Sequence, residues 1–232
     1  MEERDRGLFE LESSWQGVCP MKYLSNERGN SAFYIIWLLG ISAVIFVIVI
    51  NIAKVYVVKQ QASTATQQAA FAGTIVFLEV TQKGIENFDS DLTKSTAQKE
   101  MEDGESIQDQ IDVKVDELVS QDVDLQQAYI KAYNEVLPEK LRKHPQFEIE
   151  MKETFRDSGL RGKLLSAVQS TITANEANAD DVEVLLSDTK WRVEVTADAT
   201  YKTITDGTYL RSFTSDIKQK GVGPSLKYLE YI

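Results

Sequence analysis

The chain has one histidine and one cysteine, which narrows the chemistry it can perform. His144 lies in Lys143-His144-Pro145, with Pro138 a few residues upstream. A Ser/His/Asp triad needs an imidazole oriented by a carboxylate, whereas this setting predicts a solvated loop residue. A zinc site would require an unusual, carboxylate-rich ligand set. The acidic pairs Asp89/Asp91 and Asp122/Asp124 have the charge that calcium prefers. They lack the glycine and terminal glutamate of an EF-hand loop. Gly221-Val222-Gly223 is too short to cradle a phosphate. These residues predict no catalytic centre, no cofactor and no metal, and hence a protein that is not an enzyme.

The elements that would position any site begin with an apolar stretch. No Asp, Glu, Lys or Arg occurs from Gly29 to Ala53, and Ala32 to Ile50 is almost wholly apolar. About twenty residues of helix cross a hydrocarbon core of roughly 30 Å. Residues 30–53 are therefore read as a transmembrane helix. A cleaved secretory signal would have a shorter apolar core and a small-x-small site after it; Asn51-Ile52-Ala53-Lys54 is a poor one. Arg4, Arg6, Lys22 and Arg28 precede the span and Lys54 and Lys59 follow it, a bias that puts residues 1–29 in the cytoplasm. The remainder is then extracytoplasmic, with no disulfide, because Cys19 lies in the tail. Most of the net charge of −11 falls beyond the span, which argues against nucleic acid as a partner.

Past the membrane the chain gives no early stop. Ile41, Val44, Ile48, Asn51, Val55, Val58, Ala62, Ala65, Ala69, Ala72 and Val76 alternate at spacings of three and four. Such spacing marks one face of a single helix that keeps its phase through the membrane surface. The face is bulky in the apolar part and alanine-lined beyond it, and alanine lets helix backbones approach closely. It packs either on the chain's own outer domain or on other subunits.

The expected fold class is α+β. It comprises the cytoplasmic tail (1–29), the transmembrane helix (30–53), its helical extension (54–88) and an extracytoplasmic domain (89–232). In that domain helices fall within 107–174 and a small antiparallel sheet within 190–231. Residues 79–106 read as a broken helix and a loop. Helices are predicted from Ile107 to about Val119, from about Asp124 to Leu137 with Pro138 ending it, and from Leu160 to Ala174. Phe147 to Met151 alternates like a short strand. Trp191–Ala197, Ala199–Ile204, Thr208–Phe213 and Leu226–Tyr231 read as strands, with a hairpin turn at Asp206-Gly207 and a loop at Gly221–Pro224. No internal repeat is present.

Glu27-Arg28-Gly29-Asn30-Ser31-Ala32, the apolar span and the run from Asn51 to Gly73 together resemble the start of the TadE/TadG-like proteins of tight-adherence (Flp) pilus systems. The pattern is Arg-Gly, a membrane helix, an aromatic near the outer interface, and an Ala-rich continuation with Gln before paired alanines. Arg28, Gly29, Tyr56, Gln61, Gln68, Ala69 and Ala70 occupy those places. The resemblance implies a pseudopilin-like minor component in the bacterial cell membrane, with pilus-assembly or pilin-like proteins as partners. Prepilins of this group are cut after a glycine and carry glutamate five residues later. Gly29 would be that processing glycine, but Tyr34 stands at the fifth position, which favours a permanently anchored assembly factor. The competing expectation is a single-pass sensor whose outer domain binds a ligand.

Overall fold

The computed structural model describes residues 28–202 and 214–232. These residues are α+β. Six helices are followed by a three-stranded antiparallel sheet and a closing 3-10 helix. The chain divides into two compact units, Met1–Ile50 and Asn51–Ile232. Helix α1, Arg28–Ser90, is 63 residues long and contributes to both.

In the first unit the described part of α1 is apolar and uncovered. Phe33 is 75% exposed and Leu39 71%. Among the described residues α1 is the one helix long and apolar enough to cross a membrane, with a mean hydropathy of 2.8 in its most apolar window. Exposure of so many large apolar side chains in water would be strongly unfavourable, at about 25 cal/mol per Å².

The second unit is built around the later turns of α1. Phe77, Ile85 and Phe88 are buried there. Helices α2 (Leu92–Met101), α3 (Ile107–Ser120), α4 (Leu125–Lys143), α5 (Pro145–Asp157) and α6 (Leu160–Ala174) surround this segment. Each addresses the core with residues at helical spacing. Ile107, Ile111, Val115 and Leu118 do so from α3, and Phe147 and Met151 from α5. Helix starts are fixed by side chains. Ser106 and Asp109 form a reciprocal capping box on α3, and Asp124 accepts from the backbone of Gln126 and Gln127 at the start of α4.

Strands β1 (Asn178–Ser187), β2 (Arg192–Lys202) and β3 (Thr214–Val222) form a meander in that order. Val193, Val195, Ala197, Ala199 and Tyr201 alternate along β2 to make the buried face. Gly221 of β3 lies directly against the α1 backbone at Thr66, where an added Cβ would overlap the Thr66 carbonyl. The 3-10 helix Lys227–Tyr231 closes the core with Tyr228, whose hydroxyl lies 2.8 Å from that of Thr81.

Several expectations are corrected. Phe147–Met151 is the start of α5, not a strand: Phe147, Glu150, Met151 and Thr154 are buried at helical spacing, while Ile149 is half exposed. The apparent alternation was misleading because Glu150 is an inward residue, held by Lys94 at 2.6 Å. Leu226–Tyr231 is not a strand either, but leads into and forms the 3-10 helix. Pro138 does not end α4, which continues to Lys143. An interior proline costs roughly 3 kcal/mol. The added turn offsets this by burying Leu141 and placing Lys140 against Glu102. Residues 79–106 are more ordered than expected. α1 runs to Ser90 and α2 follows after Asp91, whose side chain caps it by accepting from the backbone N–H of Thr93. Strands β1, with its Asp180-Asp181 pair, and β3 lie outside the predicted strands, and β3 takes in Gly221 and Val222 of the predicted loop, pressed against α1 at Thr66. The predicted segment Thr208–Phe213 and the turn at Asp206-Gly207 lie outside the described residues, as does most of the tail.

Candidate functional site

The alternating seam meets three environments. Ile41, Val44 and Ile48 are exposed along the apolar stretch, at 40%, 61% and 53%. Val55 is 38% exposed and Val58 half-buried. Ala62, Ala65 and Ala69 have no exposed surface at all, Val76 is buried and Ala72 half-buried. The alanines are thus covered by the chain's own second unit. Their small size has a local cause: the end of β3 and the loop after it run against α1 with backbone-to-backbone contact at Thr66 and Ala70. Gly73 and Gly84 instead make room for side chains of α6 and α5. A Cβ at Gly73 would sit 2.9 Å from Leu164, and one at Gly84 2.5 Å from the Met151 sulfur.

The glutamine positions differ in role. Gln61 donates from Nε2 to the Asn175 carbonyl at 3.2 Å, satisfying the C-terminal end of α6. Gln68 is exposed, and Ala70 is fully buried. Tyr56 is 68% exposed. Arg28 and Gly29 begin α1.

What α1 leaves open in the second unit is a different stripe. Phe71 and Ile75 are 46% and 43% exposed, and Glu79 follows one turn later, also exposed. These side chains form a ridge between two depressions. On one side an open groove of about 730 Å³ runs between α1 and helices α3 and α4, walled by Leu78, Tyr129 and Ile130. Its floor is a hydrogen-bonded chain. Tyr133 donates to Gln82 at 2.5 Å, Gln82 to Gln108 at 3.1 Å, and Gln108 to Asp112 at 2.8 Å. Burial pushes the Tyr133 hydroxyl well above the ordinary tyrosine range. On the other side lies a shallower trough of about 780 Å³ between α1 and α6, lined by small residues including Gly162, Ser166, Ala167 and Ser170. The ridge went unnoticed in the sequence, although apolar residues at 71 and 75 off the alanine phase were a visible signal.

The residues first weighed for chemistry are structural. His144 is 4% exposed, correcting its expected place in a solvated loop. It donates from Nε2 to Glu102 at 2.9 Å. Lys140 and Lys143 meet the same carboxylate at 2.8 and 3.1 Å, and Gln98 and Gln110 donate at 2.8 and 2.6 Å. Burial by itself would raise the Glu102 pKa; the bonds from Lys140, His144, Gln110 and Gln98 prevail and hold it far below the usual carboxylate range. Continuation of α4 past Pro138 sets this hub, because Lys140 and His144 are one turn apart. No nucleophile adjoins His144 in these contacts. Three of the four paired acids are likewise committed: Asp89 accepts from the backbone of Ile107 and Gln108, and Asp91 and Asp124 cap α2 and α4. Among the described residues no group of three or more His, Cys, Asp or Glu side chains is placed to hold a metal.

Comparison with family models, curated proteins and solved structures gave no match.

Proposed function

We propose that this chain is a non-enzymatic, membrane-anchored, pseudopilin-like minor component that aids assembly of a Tad/Flp-type pilus or related secretion apparatus. In this reading residues 30–53 span the bacterial cell membrane once, the N-terminus is cytoplasmic, and the folded unit is extracytoplasmic. The supporting observation is α1 itself. One helix supplies an uncovered apolar stretch near its start and the central core helix of an α+β unit further on. The residues resembling TadE/TadG-like proteins all fall between Glu27 and Gly73, mostly on this helix. The alanines contribute to domain packing, so an assembly partner would meet other, exposed residues of the second unit. Retention of residues 1–29 follows from Tyr34 standing where processed prepilins carry glutamate.

The test is deletion of the chain in its host cell, scored for surface appendages and for the transcripts of their genes. Loss of appendages with transcripts intact, restored by the full chain but not by one lacking residues 30–53, is the expected outcome. Unchanged appendages would refute the reading. N-terminal sequencing of the membrane-bound protein reads out processing at Gly29 directly.

One observation favours a second reading, a single-pass sensor. The groove beside Tyr129 and Tyr133 has the size and the mixed apolar and amide lining of a ligand site. A transcriptional change on deletion, with appendages unaffected, would favour that alternative.

A further inference from the structure

The α1 ridge and the α1–α6 trough lie side by side on one face and are complementary to each other. Phe71 and Ile75 project at helical spacing, whereas the trough offers no large side chain from Gly162, Ser166, Ala167 or Ser170. A ridge of residues four apart seats in a groove of this kind.

Charge complements shape. Glu79 and Lys163 both line the trough and are both exposed. Among the described residues neither has an ion-pair partner within 4.0 Å. The two helices are antiparallel here: Gln61 meets Asn175, and Gly73 adjoins Leu164 and Val168. Glu79 therefore stands at the Gly162/Lys163 end of the trough.

We propose that a second copy of this chain docks on this face as a two-fold dimer. The Phe71–Ile75–Glu79 ridge of each copy lies in the other's α1–α6 trough, and Glu79 of each meets Lys163 of the other. A two-fold interface uses the same patch on both subunits, so a ridge and its matching trough must be neighbours on one surface. They are. With the two-fold axis along α1, Glu79 and Lys163 come level across the interface because they share one end of the trough. The α3–α4 groove is the poorer seat, since Lys83 stands between Glu79 and Glu86 along its wall and its amide floor is already internally bonded. Confinement to a common membrane raises the effective concentration, so a patch of modest area suffices. Dimerisation of this kind is independent of the pilus reading.

The test uses the full chain in membranes, with Cys19→Ser as background. Two differently tagged chains, one carrying Ile75→Cys and the other Ser166→Cys, are co-expressed and oxidised. A disulfide-linked species containing both tags is expected, and Phe71→Asp in both chains should abolish it without shifting the unfolding transition. Absence of that species, or capture of a different polypeptide by these cysteines, would overturn the proposal. A charge swap provides the second arm. A Glu79→Lys chain and a Lys163→Glu chain each form repulsive homodimers, but together they restore both ion pairs. The mixed dimer should exceed each homodimer by at least about threefold. A statistical distribution of the three species would overturn the proposed register.

Discussion

Gly221 of β3 rests on the backbone of Thr66 in α1, so closely that a methyl group on the strand would occupy the helix carbonyl. Sheet and helix meet here through backbone, with no side chain available to yield. Gly221→Ala should therefore cost about 3 kcal/mol or more, at the upper end of overpacking. Gly223→Ala meets chiefly the Thr74 hydroxyl, a side chain that can turn away, and should cost less. Denaturant unfolding of the full chain in detergent, followed by circular dichroism, ranks the two. Equal stability of Gly221→Ala and wild type would contradict the close approach.

The seam should respond differently along its length. Ala65→Leu forces extra carbons into a site with no exposed surface and should destabilise the second unit by about 1–3 kcal/mol. Ile48→Leu, at a 53% exposed position, should leave that unit's unfolding unchanged. If Ala65→Leu were neutral to folding, the alanines would not be packing residues of the domain.

Glu102 predicts acid sensitivity. Its pKa is depressed in the folded state relative to an ordinary value of 4.5. Its contribution is therefore fully present above about pH 4.5 and is lost progressively as the pH falls toward the folded value. Glu102→Gln should lower stability at neutral pH by about 3 kcal/mol, because Lys140 keeps its burial without a counter-charge. It should also flatten the acid limb of a stability profile between neutral pH and pH ~3. A variant whose acid limb parallels that of wild type would show that other carboxylates govern it.

Tyr228 predicts the opposite limb. Burial raises its pKa well above the ordinary 10.0, outweighing the hydrogen bond with Thr81. The unfolded chain ionises first, so the stabilisation present below pH 10 is lost as the pH rises beyond that value. Tyr133 acts in the same direction. Tyr228→Phe should reduce the alkaline slope and cost about 1 kcal/mol at neutral pH through its lost hydrogen bond. Ultraviolet titration of tyrosinate should show one fewer late-ionising residue in the variant than in the wild type.

Sequence alone determined the features that depend on local order. The charge-free run after Gly29 specified a helix long enough to cross a membrane, and the three-and-four spacing from Ile41 to Val76 specified that it continues. Helices α3 and α6 and the alternation in β2 were legible for the same reason: their apolar residues repeat at the period of the element that buries them. Tertiary structure alone decided where those faces point. Ala65 and Ala69 look alike whether they receive another subunit or their own β3, and only the position of Gly221 distinguishes the two. Pro138 would end an isolated helix, yet here it is carried through because Leu141 and Lys140 find partners from distant parts of the chain. His144 and Glu102 are 42 positions apart. Their meeting depends on how α2, α4 and α5 pack together, and no local pattern could announce it.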